Sequence, residues 1–265
     1  MGQDAIFLEN CFNSYNKLRT SVSTRKDYHD LILISKNMIN LYLESAENVD
    51  YSSIIEKFKK IYITDESRIE SNESKEEKEG IGAIYDYICD YDFSKKNFNI
   101  FVDSMQIHVL LYSKMPGKEF GGKIRTEQAL LVDTDIEVMT AEDAKKHYNS
   151  YIMNSYKIMS SLDEKNILDY IKGSLMVMVD LIKTQPFADG NKRTFRSLFN
   201  LMLKRRNLPP VYVGGKEVSN FSKALLKAMR EDDYMDLYEL YLRLIADSIS
   251  KIGLKEIQRI KKNVK

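Results

Sequence analysis

The sequence predicts an all-α protein, and three observations carry that reading. Apolar residues recur at three- and four-residue spacing in segment after segment, as expected of helices that bury one face. Only four prolines and eleven glycines occur in 265 residues, against much Leu, Ile, Met, Lys and Glu, a balance that favours helix. Extended signals are short and occur only around residues 124–132 and 211–213. A chain of this length is long enough for one large or two modest domains with a real core.

Composition narrows the function classes. Forty basic residues nearly balance thirty-nine acidic ones, for a formal charge of +1, so no overall field points to nucleic acid. Cys11 and Cys89 are too few for a disulfide framework or a zinc site and suggest a reducing compartment. No apolar run approaches the roughly eighteen residues of a membrane span, and Asp4 and Glu9 stand where a signal peptide would be basic. A cytoplasmic protein is expected, with export by a signal-independent route left open and no membrane or nucleic-acid partner.

The elements follow in order. Residues 4–20 carry a weak stripe through Ile6, Leu8, Phe12, Tyr15 and Leu18, and residues 27–43 a clearer one through Leu31, Ile32, Met38, Ile39 and Leu43. Ser53 and Glu56 have capping-box spacing and open a short helix through Ile61. Residues 64–80 are highly charged, with Ile69 as their one stripe residue, before Ile81, Ile84, Tyr85, Ile88 and Tyr91 resume helical spacing. A further helix spans 97–111 with His108 inside it, read as a core or interface histidine bonded locally. Pro116, Gly117, Gly121 and Gly122 mark a loop, after which Ile124, Thr126 and 129–132 predict a short hairpin or extended segment. Helices follow over 143–161, with His147 on the surface, and over 166–183, the strongest stripe of the chain. Beyond residue 190 come a helix ended by Pro209 and Pro210, two more over about 221–228 and 235–245, and a lysine-rich tail.

Between two of these helices lies Thr184–Arg196, reading Thr-Gln-Pro-Phe-Ala-Asp-Gly-Asn-Lys-Arg-Thr-Phe-Arg. Pro186 disfavours helix at Gln185, and Asp189, Gly190 and Asn191 supply a turn and a cap for the next helix. The loop's N–H groups therefore stand at a helix N-terminus, which attracts anions. Arg193 and Arg196 lie three apart on that helix and add two planar cationic forks. Asp189 beside them can hold a divalent cation. The residues alone describe a site for a metal-bound polyphosphate.

This stretch resembles the signature of the Fic/Doc (Fido) family, His-x-Phe-x-(Asp/Glu)-Gly-Asn-(Gly/Lys)-Arg-x-x-Arg, and it matches every position except the first, where Gln185 replaces histidine. The resemblance implies the Fic helical fold, with a β-hairpin flap and additional N-terminal helices. It divides the chain into an N-terminal helical region over 1–94, a Fic core over 95–250 and a tail over 251–265. Gly122, Ile124, Arg125 and Thr126 resemble the family's flap, which docks a target protein by main-chain pairing. Glu66 to Asn72 resembles its inhibitory motif, placing Glu70 against Arg196 within an inhibitory helix near 64–80. The resemblance also implies AMP transfer from ATP to a protein hydroxyl, with nucleotide and target protein as partners and a homo-oligomer as an option. Mg²⁺ would sit on Asp189 and phosphates on the N–H groups of Gly190, Asn191 and Lys192. The Asn191 amide would add a donor, Arg193 would hold the β- and γ-phosphates and Arg196 the γ-phosphate. Phe187 would plant the loop on the core, and Phe195 would narrow the site.

The departure is chemical. In the family the histidine is the general base, and a glutamine amide takes up no proton near neutral pH. A positioned base supplies about 10²–10⁴-fold in rate, so transfer is expected to be impaired or altered while binding survives. The alternatives are a catalytically inactive nucleotide-binding or protein-interaction regulator, another base or an easily ionised acceptor, and an engineered knock-out.

Overall fold

The computed structural model describes residues 3–45, 51–69, 74–129 and 136–252. Ten helices lie within them: α1 (Gln3–Ser21), α2 (Arg25–Ser45), α3 (Tyr51–Ile69), α4 (Lys75–Asp90), α5 (Ile100–Tyr112), α6 (Ala141–Asp163), α7 (Ile167–Thr184), α8 (Asn191–Arg205), α9 (Val218–Glu231) and α10 (Met235–Ile252). No helix among the described residues is long and apolar enough to cross a membrane.

Helix α8 is the axis of the molecule. From Arg193 to Leu203 every residue is buried, and α4, α5 and α7 pack around it. Such burial is unexpected in a segment with so many polar groups, and each named one here is met by a partner. Asn200 closes a pair of bonds with the N–H and carbonyl of Val211, both at 2.8 Å, which ties the extended 211–213 stretch to the helix. Ser197 shares a hydrogen bond with the Tyr62 hydroxyl at 3.0 Å. A second layer is formed where α10 packs on α2 and α9, and α1 on α2.

Two helices extend further than their apolar stripes predict. Helix α3 runs to Ile69, past the expected end at Ile61, because its inner face reads Phe58, Tyr62 and then Glu66, all buried. A carboxylate takes the next place in the stripe and hides it from a hydrophobic reading. Helix α4 begins at Lys75, capped by the Ser74 hydroxyl, which accepts from the Glu77 N–H at 3.2 Å. Its first turn is charged, so periodicity alone starts it a turn and a half late. Gly80 seats this helix: a Cβ there would lie 2.2 Å from the Leu111 carbonyl oxygen, so α4 and α5 meet backbone to backbone.

Of the expected hairpin or extended segment, the described residues form an extended strap with an antiparallel bridge between Ile124 and Phe187. Residues 130–135 of that expected hairpin lie outside the described residues. The physical reason for the strap is Arg125, whose side chain is buried and draws the chain around itself. Its Nε donates to the Gln185 carbonyl at 2.6 Å, Nη1 to that of Glu127 at 2.8 Å and Nη2 to that of Met139 at 2.6 Å. A guanidinium bonded to carbonyls holds segments together without a strand ladder.

Candidate functional site

The Thr184–Arg196 loop is held by its own side chains. Gln185 ends α7 in the left-handed conformation, φ 49° and ψ 58°, and is buried. Its amide nitrogen donates to the Ile182 carbonyl at 2.6 Å, and its amide oxygen accepts from Asn191 Nδ2 at 2.9 Å. Asn191 also donates to the Phe187 carbonyl at 2.8 Å and accepts from the Phe187 N–H at 3.0 Å. The Asn191 amide therefore braces the loop from inside, where the sequence reading had it reach a phosphate. Arg125 adds the strap, its N–H donating to the Pro186 carbonyl at 2.9 Å. Arg125 thus faces inward, while Thr126 stands in the wall of the adjoining pocket.

Helix α8 starts without a side-chain cap. Gly190 occupies the cap position with φ 78°, a left-handed conformation that glycine adopts at no steric cost. A Cβ there would also lie 2.9 Å from Leu111 and 3.2 Å from the Tyr112 ring. The first N–H groups of the helix, from Asn191 and Lys192 onward, consequently face out of its N-terminus with the positive end of its dipole.

Phe187 anchors the loop to the core. It is fully buried and stacks on His108 with centroids 3.8 Å apart and planes 7° from parallel, while Phe195 lies 6.0 Å away on the core side. Phe195 is thus a core residue behind the loop and does not narrow the site. His108 is fully used as well. Its Nδ1 accepts from the Gly122 N–H at 2.9 Å, which leaves Nε2 to donate to the Asp189 carbonyl at 3.0 Å. Burial pushes its pKa down to about 4, against the smaller opposite pull of Asp189. It is a neutral brace between strap and loop.

Asp189 points outward, its side chain 73% exposed, yet it is oriented. Its Oδ2 accepts from the Tyr112 hydroxyl at 2.7 Å and from Arg193 Nη2 at 2.9 Å. Partial burial raises its pKa, but the Arg193 charge and the Tyr112 and Gly190 hydrogen bonds outweigh that and hold it below the ordinary carboxylate value. Both arginines are buried and already engaged. Arg193 Nη1 donates to Glu77 at 2.6 Å, and Glu77 is completely buried. Arg196 donates through Nε and Nη2 to Glu66 Oε2 at 2.9 and 2.8 Å. Glu70 lies outside the described residues; the carboxylate seen on Arg196 is Glu66, one helical turn earlier.

Beside Asp189 opens a pocket of about 810 Å³. Its walls come from the end of α5 (His108, Tyr112), the following loop (Met115, Phe120) and the strap from Lys123 to Ala129. Arg193 and Arg196 sit behind Asp189 and outside that wall. No group of three or more His, Cys, Asp or Glu side chains that could hold a metal occurs among the described residues. Asp189 alone fits magnesium nonetheless, since that ion is commonly held by one or two carboxylates together with substrate phosphates and water.

Sequence reasoning missed Glu66, Glu77 and Tyr112. For Glu77 a signal existed, because Ser74-x-x-Glu77 is a capping-box spacing; the carboxylate reaches Arg193, a contact between distant segments that no local pattern shows. His147, read as a solvated surface group, is half-exposed and bonded to Asp180 at 2.7 Å.

A helical protein with a glycine-capped loop at a helix N-terminus and a strap across a neighbouring pocket is the class that this geometry defines. Residues 101–203 match the model of the Fic/DOC family. The chain resembles "Protein adenylyltransferase Fic" of Drosophila mojavensis at 29% identity over 100 residues, 38% of this chain and 19% of that protein. It resembles the protein of the same name in Aedes aegypti at 27% identity over 134 residues, 51% of this chain and 25% of the other. The matched stretches thus span about a fifth to a quarter of those relatives. Among solved structures, the fold is similar to a Fic-domain-containing signalling protein of Bacteroides thetaiotaomicron, with a TM-score of 0.64 at 14% identity over 85% of this chain and 97% of that one. It is also similar to Fic-1 of C. elegans, with a TM-score of 0.57 at 15% identity over 96% of this chain and 69% of that one.

Proposed function

We propose that this chain binds a magnesium–ATP polyphosphate at the Asp189–Arg196 loop and is a Fic-type nucleotidyltransferase of impaired or altered chemistry. The observation that carries the reading is the loop itself: Gly190 opens the α8 N-terminus, with Asp189 held in front of Arg193 and a nucleoside-sized pocket alongside. The phosphates would lie on the N–H groups of Gly190, Asn191 and Lys192, and the metal ion would bridge them from Asp189, supplying positive charge to the transferred group. Arg193 would turn its Nη2 from Asp189 to phosphate. The strap, from Gly122 through Ile124, Arg125 and Thr126, would meet a protein target.

Protein-hydroxyl transfer needs a proton acceptor, and neither Gln185 nor His108 provides one. The Gln185 amide is committed to Ile182 and Asn191, and His108 uses both ring nitrogens. We infer that nucleotide binding outlasts turnover at this site. Glu66 on Arg196 supports an inhibited resting state in which α3 covers the seat of the γ-phosphate. On this reading α4 supplies Glu77 to the core domain across the division near residue 95.

A second reading, a non-catalytic regulator built on the same scaffold, is favoured by the way Gln185 is knitted into the loop as a tie. Calorimetric titration with ATP and Mg²⁺ tests binding: the wild type is expected to bind and Arg193→Ala to abolish it. Absence of binding for every nucleoside triphosphate would end the nucleotide reading. Gln185→His with labelled ATP then separates the two, since label appearing on protein identifies a lapsed transferase and its absence a regulator.

A further inference from the structure

Asp189 Oδ2 is shared between two donors that differ in what they can do when a polyphosphate arrives. Arg193 holds Glu77 through Nη1 and Asp189 through Nη2, so its Nη2 is the arm that a phosphate would recruit. Tyr112 has no comparable alternative. Its ring is 93% buried, lies 4.9 Å from His108 and is approached within 3.2 Å by the position a Gly190 Cβ would take. His108 is in turn fixed to the Asp189 carbonyl and the Gly122 N–H. The ring cannot swing away without breaking this packing, and its hydroxyl reaches Asp189 at 2.7 Å from within the pocket wall.

We propose that Tyr112 is a positioning residue, holding the Asp189 carboxylate toward the metal–polyphosphate while Arg193 exchanges that carboxylate for phosphate. The inference rests on the nucleotide reading above and adds a division of labour to it. Arg193 serves the ligand and the resting state in turn; Tyr112 serves Asp189 in both. Its hydroxyl meets Oδ2 of a carboxylate that is 73% exposed, and it donates only, as a neutral phenol beside a carboxylate must. Side chains that orient a metal-binding carboxylate commonly contribute 10–100-fold to affinity.

The test compares ATP binding with and without Mn²⁺ in the wild type, Tyr112→Phe, Asp189→Asn and the double variant, by calorimetry on the full chain. Tyr112→Phe is expected to leave metal-free affinity within about twofold and to reduce the gain from Mn²⁺ about tenfold. In the Asp189→Asn background the same change is expected to add nothing. A Tyr112→Phe protein that keeps the full Mn²⁺ gain, or that loses metal-free and metal-bound affinity equally, overturns the proposal while leaving nucleotide binding intact. A wild type that binds ATP under neither condition overturns the nucleotide reading and this inference with it. Should Tyr112→Phe fail to fold, 3-fluorotyrosine at position 112 keeps the packing and is a stronger donor. An increased Mn²⁺ gain is then expected, and an unchanged or smaller one refutes the role.

Discussion

Replacing Glu77 with alanine removes one half of a completely buried ion pair. The carboxylate is 0% exposed and its partner Arg193 is 7% exposed, with 2.6 Å between Oε1 and Nη1. Two unit charges about 4 Å apart attract by about 4 kcal/mol at an effective dielectric near 20. Breaking such a pair from one side costs roughly 3–5 kcal/mol, because the remaining charge stays buried. Asp189 on Nη2 offsets part of this, and it is largely exposed, so the lower end, about 3 kcal/mol, is the expectation. At an m-value of about 3 kcal/mol/M the urea midpoint then falls by about 1 M. Arg193→Met alone strands Glu77 in the same way, and the double variant is expected to cost clearly less than the sum of the singles. A midpoint shift below about 0.3 M for Glu77→Ala, or strict additivity in the cycle, would refute the idea that this pair is a fixed, desolvated part of the core.

Three further outcomes are expected. His108 is buried neutral, with its pKa pushed down to about 4 against about 6.5 when unfolded. Below pH 6.5 the unfolded chain binds a proton that the native chain refuses, so stability falls with pH from about 6.5 to 4 by up to about 3 kcal/mol. Urea titrations across that range should show a shallower fall in His108→Gln. Gly80→Ala places a methyl against the Leu111 carbonyl at 2.2 Å, so α4 must shift away from α5. A loss of about 2–3 kcal/mol is expected in thermal melts, with Leu111 and Gly80 amides exchanging faster. Gln185→Ala leaves buried Asn191 with one amide N–H unmet and should cost about 1–3 kcal/mol, read as a lowered melting temperature. Gln185→Glu, which still accepts from Asn191, is expected to lie between alanine and wild type.

Much of this architecture was legible in the sequence because it is written in apolar spacing. Helices α2, α5, α6, α7 and α10 follow stripes such as Leu175, Met178, Val179 and Ile182 that need only one buried face. The loop was legible for a different reason: Pro186, Gly190 and two arginines three apart constrain backbone and charge locally. What escaped was set by pairing at a distance. Glu66 and Glu77 lie in a charged stretch that offers no apolar stripe, and only the fold brings Arg196 and Arg193 to them across 130 and 116 residues of chain. The same blindness shortened α3 and α4 and hid the central place of α8, where Arg193, Arg196, Ser197 and Asn200 are buried against partners elsewhere. The flap was read from β-propensity at Ile124 and Thr126, whereas the side chain between them decides the local structure.

That side chain, Arg125, is in effect a mechanical coupling. One cation clasps the carbonyls of the strap, of the loop at Gln185 and of the entry to α6 at Met139. Tension on any of the three is passed to the others through bonds within a single rigid fork. A protein partner pulling on the strap would therefore tug at residue 185 itself. Position 185 is thus a point where force on the outside is felt at the glycine-capped loop.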